Sequence, residues 1–261
     1  MRADVYLYTK GLTQSRQNAK ILIEGGNVLL NGKVINKPSF EIDENTEHNV
    51  DILNKQRFVS RGGEKLDFAL QNFGVDVNDL DCIDVGASTG GFTDCLLQRG
   101  AKLIYAVDSG HSQLDKAIEE NERVVSIEKY NARFMQRDDF PCQFDIAVMD
   151  VSFISQTLIH QGIHHVLKDD GILISLIKPQ FECGKSALNS QGIVKNTVHH
   201  HRALYKVIDN ALLIGFSCVD IIRSPIEGGS GNTEFLALFK KSTNPTNYIS
   251  ESKLKHISKS I

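Results

Sequence analysis

The sequence has no long apolar run, no C-x-x-C pair and no general surplus of positive charge, and each lack excludes something. No apolar stretch reaches the roughly 20 residues that cross a bilayer, and the opening Met1-Arg2-Ala3-Asp4 has no signal-peptide core. A cytoplasmic protein without a membrane partner is therefore expected. The five cysteines, at positions 82, 95, 142, 183 and 218, are odd in number and widely spaced. Neither a disulfide frame nor a zinc site is indicated. A net charge of −3 excludes a uniformly basic coat. Two nucleotide motifs are also missing. Glycines at 86, 90 and 91 break the G-x-G-x-x-G spacing, and no lysine follows Gly91 as a phosphate-binding loop would require. What remains is a chain of 261 residues, 41% hydrophobic and 23% charged, long enough for one large or two modest domains with an ordinary core.

Charge is unevenly placed. Residues 1–40 hold six basic residues (Arg2, Lys10, Arg16, Lys20, Lys33, Lys37) against two acids, Asp4 and Glu24. Apolar spacing suggests two short helices, the second capped by Thr13 or Ser15 and stopped by Gly25-Gly26. Asn31-Gly32 between Val28-Leu29-Leu30 and Lys33-Val34-Ile35 is a strong hairpin signal. Arg16 and Lys20 lie four apart and share a helical face, with Lys33 and Lys37 on the adjoining hairpin. Such a set can hold phosphates without reading sequence; a plain solvated face is the alternative. Ser15-Arg16, Ala19, Gly25, Val28, Asn31-Gly32 and Lys37-Pro38-Ser39 together closely resemble the small RNA-binding domain shared by a small-subunit ribosomal protein, many pseudouridine synthases and a tyrosyl-tRNA synthetase. That resemblance implies a small α+β RNA-binding domain over 1–50.

A linker is expected over 51–63, with Gly62-Gly63 breaking structure before Lys65 opens a helix. From Asp81 onward, apolar runs and helical patterns alternate. Strands are expected at 82–86, 103–108, 123–127, 144–149, 171–177, 217–223 and 233–239, and helices at 64–74, 91–99, 112–120, 155–167 and 198–214. This pattern implies an α/β domain over 64–241, with a mainly parallel, doubly wound sheet. The last two runs are joined without a helix and should pair antiparallel. A polar tail follows over 242–261.

The candidate pocket opens at Cys82-Ile83-Asp84-Val85, a short apolar run, followed by the small-residue turn Gly86-Ala87-Ser88-Thr89-Gly90-Gly91 and a helix starting near Phe92. Strand, glycine turn and helix offer open backbone and free N–H groups to a ligand. Asp108 ends the next apolar run, where an acid is placed to accept hydrogen bonds from ribose hydroxyls. Ligands meet such sheets at the carboxyl ends of strands, and those ends also carry Asp150 and Lys178. Charges beside a core are costly to keep without purpose. Glu234, near the start of the antiparallel strand, and Lys65 complete the group.

The turn resembles the first motif of S-adenosylmethionine-dependent methyltransferases, and the set Lys65, Asp150, Lys178, Glu234 resembles the Lys-Asp-Lys-Glu tetrad of FtsJ-type RNA ribose 2′-O-methyltransferases. The words S-R-G-G-E-K-L, D-V-G-A-S-T-G-G-F-T-D, A-V-D-S-G-H-S-Q-L, M-D-V-S-F-I-S, I-K-P-Q-F-E and G-N-T-E-F are similar in order and spacing to the TlyA or haemolysin A family over nearly the whole chain. The resemblance implies a seven-stranded Rossmann-like sheet, S-adenosyl-L-methionine as cofactor, and cytidine ribose in ribosomal RNA as target. It implies Lys178 as base, Asp150 and Glu234 as its positioners and Lys65 as a substrate contact. It further implies that Asp84, Gly86, Ala87, Ser88, Gly90, Gly91, Phe92, Asp108, Asn131 and Asp150 surround the cofactor. The rival readings are an RNA-binding assembly protein without catalysis and a membrane-active haemolysin. His199-His200-His201 is expected to be a solvated helix start, because adjacent helical residues diverge; no metal is expected.

Overall fold

The computed structural model describes residues 1–13, 15–53 and 57–259. The chain divides into two compact units, Met1–Arg57 and Phe58–Ile261.

In the first unit, α1 (Ala3–Thr9) and α2 (Arg16–Glu24) pack with a three-stranded antiparallel sheet of β1 (Val28–Leu30), β2 (Lys33–Ile35) and β3 (Val50–Ile52), in the order β2-β1-β3. Ser15 caps α2, its hydroxyl accepting from Asn18 N at 3.1 Å. Asn31 and Gly32 take φ of 50° and 78°, the positive values a two-residue hairpin turn needs. Leu7, Ala19, Ile23 and Val28 form a small core with Ala3, Tyr6 and Ile42. Asp4 is fully buried and is held by Arg2 and Arg16.

The second unit opens with α3 (Arg61–Phe73), followed by β4 (Asp81–Val85), α4 (Gly91–Gln98), β5 (Leu103–Val107), α5 (Lys116–Glu119), β6 (Val124–Ile127) and β7 (Phe144–Met149). Next come α6 (His160–Val166), β8 (Leu167–Ile177), α7 (Pro179–Glu182), α8 (Thr197–Ile214), β9 (Phe216–Arg223), β10 (Phe235–Lys241) and α9 (Glu251–Ser258). The strands form one seven-stranded sheet in the order β6-β5-β4-β7-β8-β10-β9. Pairing is parallel from β6 through β8, whereas β10 runs antiparallel to both β8 and β9. The expected mainly parallel sheet with an antiparallel finish is present.

Side chains alternate across this sheet with the period of two that a strand imposes. Phe235, Ala237 and Phe239 face a core shared with α6 and α8, including Ile163, Leu204 and Ile208. Leu236 and Leu238 face the opposite core, shared with Leu66 and Leu70 of α3 and Phe92 and Leu96 of α4. With both faces covered, the strands read as nearly continuous apolar runs.

Several boundaries differ from the sequence expectation. Both ends of the expected 51–63 linker are regular elements: β3 ends at Ile52 and α3 starts at Arg61. Residues 54–56 of that linker and the last two residues of the polar tail lie outside the described residues. Gly62 and Gly63 do not break structure but sit inside α3. A Cβ on Gly63 would lie 2.3 Å from Phe58 Cγ, so glycine there permits close packing. Lys65 is consequently in the second turn of α3 rather than at its start. The helix expected at 112–120 shrinks to Lys116–Glu119, and that expected at 155–167 becomes a 3-10 turn, Gln156–Leu158, followed by α6.

Candidate active site

Register decides which side chains meet. Val85 pairs with Val107 on one side and Met149 on the other, so Gly86, Asp108 and Asp150 emerge together at the carboxyl ends of β4, β5 and β7. Phe235 pairs with Ile177, which sets Glu234 beside Lys178. β10 runs against β8, so its beginning, not its end, reaches the carboxyl edge.

The four charged groups form two ion pairs. Lys65 Nζ lies 2.5 Å from Glu234 Oε2, with side-chain exposures of 9% and 3%. Lys178 Nζ lies 2.5 Å from Asp150 Oδ1, with exposures of 12% and 24%. Lys178 also donates to Ser152 Oγ at 2.8 Å, and Gln180 Nε2 donates to Glu234 Oε1 at 3.4 Å. Gly228 closes on the buried acid: a Cβ there would lie 2.4 Å from Glu234 Oε1. Ser152 and Gln180 are site residues that the sequence reading does not single out. Their only signal is adjacency to Asp150 and Lys178 within the words M-D-V-S and I-K-P-Q.

Two cavities meet at Gly86, Ser88 and Asp150. The larger, about 460 Å³, is lined also by Asp108, Gly110, Gln113, Tyr130, Asn131 and the segment 151–154. The smaller, about 220 Å³, is lined by Ser60, Arg61, Gly62, Lys65, Ala87, Thr89, Gly91 and Phe92. Lys65 and Asp150 thus face one space beside Gly86. Of the expected cofactor residues, Asp84 and Gly90 line neither cavity. Gly90, at φ 91°, turns the chain into α4, and a Cβ there would lie 2.8 Å from Leu114 Cδ1.

Asp108 is held by the loop rather than free to swing: Oδ2 accepts from Ser88 N at 2.8 Å and Oδ1 from Gly110 N at 2.7 Å. Each oxygen keeps a lone pair for a hydroxyl. Asn131 Oδ1 accepts from Arg133 N at 3.1 Å, which fixes the amide against the cavity wall. Asp84 is fully buried, and Thr93 Oγ1 donates to its Oδ2 at 2.7 Å, while Oδ1 has no hydrogen-bond partner among the described residues. Burial pushes this carboxyl up to about 7, and the charges of Asp150 and Asp108 add to the rise. A buried orphan oxygen behind an open glycine turn, next to a fixed acid at the end of the second strand, fits a cationic ligand that carries a ribose.

The remaining histidine and cysteine candidates are structural, and the helix start His199-His200-His201 is not solvated throughout as expected, because His200 points into the core. His200 is buried, its Nε2 bonded to Val194 O at 2.8 Å, and its ring packs on Phe235. Cys183 Sγ donates to His199 O. In the first unit, Lys33 and Lys37 are exposed and Lys20 is half-buried. Arg16 is 53% exposed yet donates to Asp4 Oδ2 at 3.1 Å, so this guanidinium has a buried anchor as well as an open face.

A doubly wound sheet with an antiparallel seventh strand, a glycine turn after its first strand and an acid after its second defines a methyltransferase fold. Residues 58–241 match the model of the FtsJ-like methyltransferases, and residues 1–48 match that of the S4 domain. The chain belongs to the FtsJ-like methyltransferase family. It is 40% identical to "Hemolysin A" of Brachyspira hyodysenteriae over 92% of this chain and 99% of that protein. It is 36% identical to "16S/23S rRNA (cytidine-2'-O)-methyltransferase TlyA" of Mycobacterium tuberculosis, covering 93% of this chain and 90% of that one. Among solved structures, "Putative hemolysin from Streptococcus thermophilus" superposes with a TM-score of 0.79 at 42% identity, over 99% of this chain and 94% of the other.

Proposed function

We propose that this chain transfers the methyl group of S-adenosylmethionine to a ribose 2′-oxygen of RNA, with cytidine in ribosomal RNA as the target. The observation that carries the reading is the pair of ammonium–carboxylate contacts, Lys65–Glu234 and Lys178–Asp150, beside the cavities that meet at Gly86. The target class is taken from the relatives named for cytidine-2′-O methylation. A ribosomal substrate makes the cytoplasm the compartment of the reaction.

When bound, S-adenosylmethionine supplies an electrophilic methyl group on a sulfonium. Asp108 would take its ribose hydroxyls, the turn Gly86–Phe92 its methionine end, and Asn131 the adenine edge, with Asp84 compensating positive charge from behind the turn. A ribose hydroxyl is a weak nucleophile at neutral pH and needs a base within hydrogen-bond reach. Lys178 Nζ takes that proton as the neutral amine, having first given its own to solvent. Asp150 Oδ1 and Ser152 Oγ aim the amine, and Gln180 and Lys65 orient Glu234 at the other side of the site. Lys65 steadies the substrate oxygen. Holding the reacting atoms in line supplies much of the remaining rate. The S4 domain supplies RNA affinity through Arg16, Lys20, Lys33 and Lys37, which contact phosphates and leave base selection to other groups.

The test is incubation of unmodified ribosomal subunits with labelled methyl donor, followed by mapping of the methyl group. A ribose 2′-O-methylcytidine that is lost with Lys178→Ala, while donor binding persists, supports the reading. Normal turnover by that variant removes Lys178 as base; no incorporation by the unaltered chain removes the function. Two of the relatives named above carry haemolysin names, but no helix among the described residues is long and apolar enough to cross a membrane.

A further inference from the structure

The turn that leaves β8 carries an acid that the chemistry above leaves unused. Glu182 ends α7, shortly after Lys178, and its side chain is 2% exposed. Its Oε1 accepts from Gln156 N at 2.9 Å. Its Oε2 accepts from Ser155 Oγ and, at 3.0 Å, from Lys206 Nζ of α8. Lys206 also donates to Ser155 Oγ and to the Glu182 carbonyl, both at 3.1 Å.

Ser155 and Gln156 close the segment that leaves β7 and begins with Asp150. That segment is therefore fastened to the β8 exit at both ends. At one end Lys178 grips Asp150 and Ser152; at the other Glu182 grips Ser155 and Gln156. Between the two grips Phe153 is held at φ 64°, a backbone state that bulky residues enter only at a cost. Gln156 extends the hold inward, its side-chain amide meeting Ser175 Oγ on β8 and lying 3.4 Å from His160 Nε2. A buried ion pair is a weak source of stability, since apolar groups of similar volume often serve as well. A carboxylate with three donors instead fixes the distance between two loops.

We propose that Glu182 is a positioning residue for methyl transfer: it sets the segment 150–156 against the β8 exit, so that Asp150 and Ser152 hold Lys178 Nζ on line. This rests on the reading of Lys178 as the base. The test is single-turnover transfer at saturating methyl donor and RNA by Glu182→Gln, Ser152→Ala and the double variant, with donor affinity measured by calorimetry. Glutamine keeps an acceptor for Gln156 N and loses the charge toward Lys206. Glu182→Gln is expected to slow transfer about tenfold or more, with donor affinity changed by less than about threefold. The double variant is expected to be no slower than the slower single one, because both act through the same ammonium. Transfer at the unaltered rate by Glu182→Gln, losses that multiply in the double variant, or a loss of donor affinity alone would each overturn the proposal. Lys206→Ala, at the half-exposed end of the pair, carries the same comparison should Glu182→Gln fail to fold. If Lys178→Ala is inactive while Glu182→Gln is normal, only the positioning role falls; if Lys178→Ala is active, the base assignment falls with it.

Discussion

A Cβ placed on Gly86 would lie 2.7 Å from the carbonyl oxygen of Asp150. The exits of β4 and β7 therefore touch through bare backbone, and the room for a ligand between Gly86 and Asp108 depends on that contact. Gly86 also has φ 87°, which side-chain-bearing residues adopt at a cost of about 1 kcal/mol or more. Gly86→Ala is expected to lower methyl-donor affinity at least about tenfold, equivalent to about 1.4 kcal/mol, and to lower the melting temperature. Calorimetric titration with the donor checks it; affinity equal to that of the unaltered chain would mean that this contact does not shape the pocket.

The two ion pairs should differ in what they cost to break. Glu234→Ala leaves the Lys65 ammonium buried without its carboxylate, an expected loss of about 3 kcal/mol. Lys178→Ala leaves Asp150, 24% exposed, on a cavity wall that water can reach, an expected loss of about 1 kcal/mol. Urea denaturation of both variants gives the comparison. Equal losses would contradict the difference in burial.

Asp84 makes stability depend on pH in a defined direction. Its folded-state value is raised by burial to about 7 from the ordinary 3.8, so across that interval the native protein binds a proton that the unfolded chain has released. This stabilisation is complete below about pH 4 and is lost as pH rises through about 7. Asp84→Asn should remove the slope, so the stability of the unaltered chain relative to the variant should fall between pH 4 and 7. Denaturation across that range tests it, and a difference that stays flat with pH would rule it out.

In the small unit the hydrogen bond from Arg2, joined by that from Arg16, holds the Asp4 carboxyl down at about 2. The sign is opposite: this stabilisation is present above about pH 4 and is lost as pH falls toward 2. Arg16→Glu would set a second carboxylate against buried Asp4 and is expected to unfold the unit. RNA contact is therefore better tested with Lys33→Glu and Lys37→Glu, both at exposed positions. That double variant should weaken RNA binding and flatten its salt dependence, with donor affinity unchanged in a filter-binding and titration pair. RNA affinity at the original level would take the hairpin out of the interface.

The strands were legible because a sheet covered on both faces makes each one an uninterrupted apolar run, and the acid or lysine that ends the run stands out. β4 with Asp84-Val85-Gly86 and β8 with Ile177-Lys178 are of this kind. The hairpin at Asn31-Gly32 was legible because few residues tolerate its dihedral angles. Gly62-Gly63 misled, since glycine reads as a breaker locally, whereas here α3 needs it to pass against Phe58. The tie between Asp4 and Arg16, the hydrogen bond from Lys178 to Ser152 and the grip of Glu182 on Ser155 were not legible. Each joins residues through folded geometry, and no spacing rule connects them.

The position of β10 has a consequence for how the protein comes into being. It is the last of the described strands in chain order, yet it is wedged between β8 and β9, and it delivers Glu234 to the edge where Lys65 is already waiting. A nascent polypeptide lacking this strand has a gap inside its sheet and an ammonium group with no counter-ion. That edge of the second unit is therefore closed late, after every other described strand of the sheet has been made.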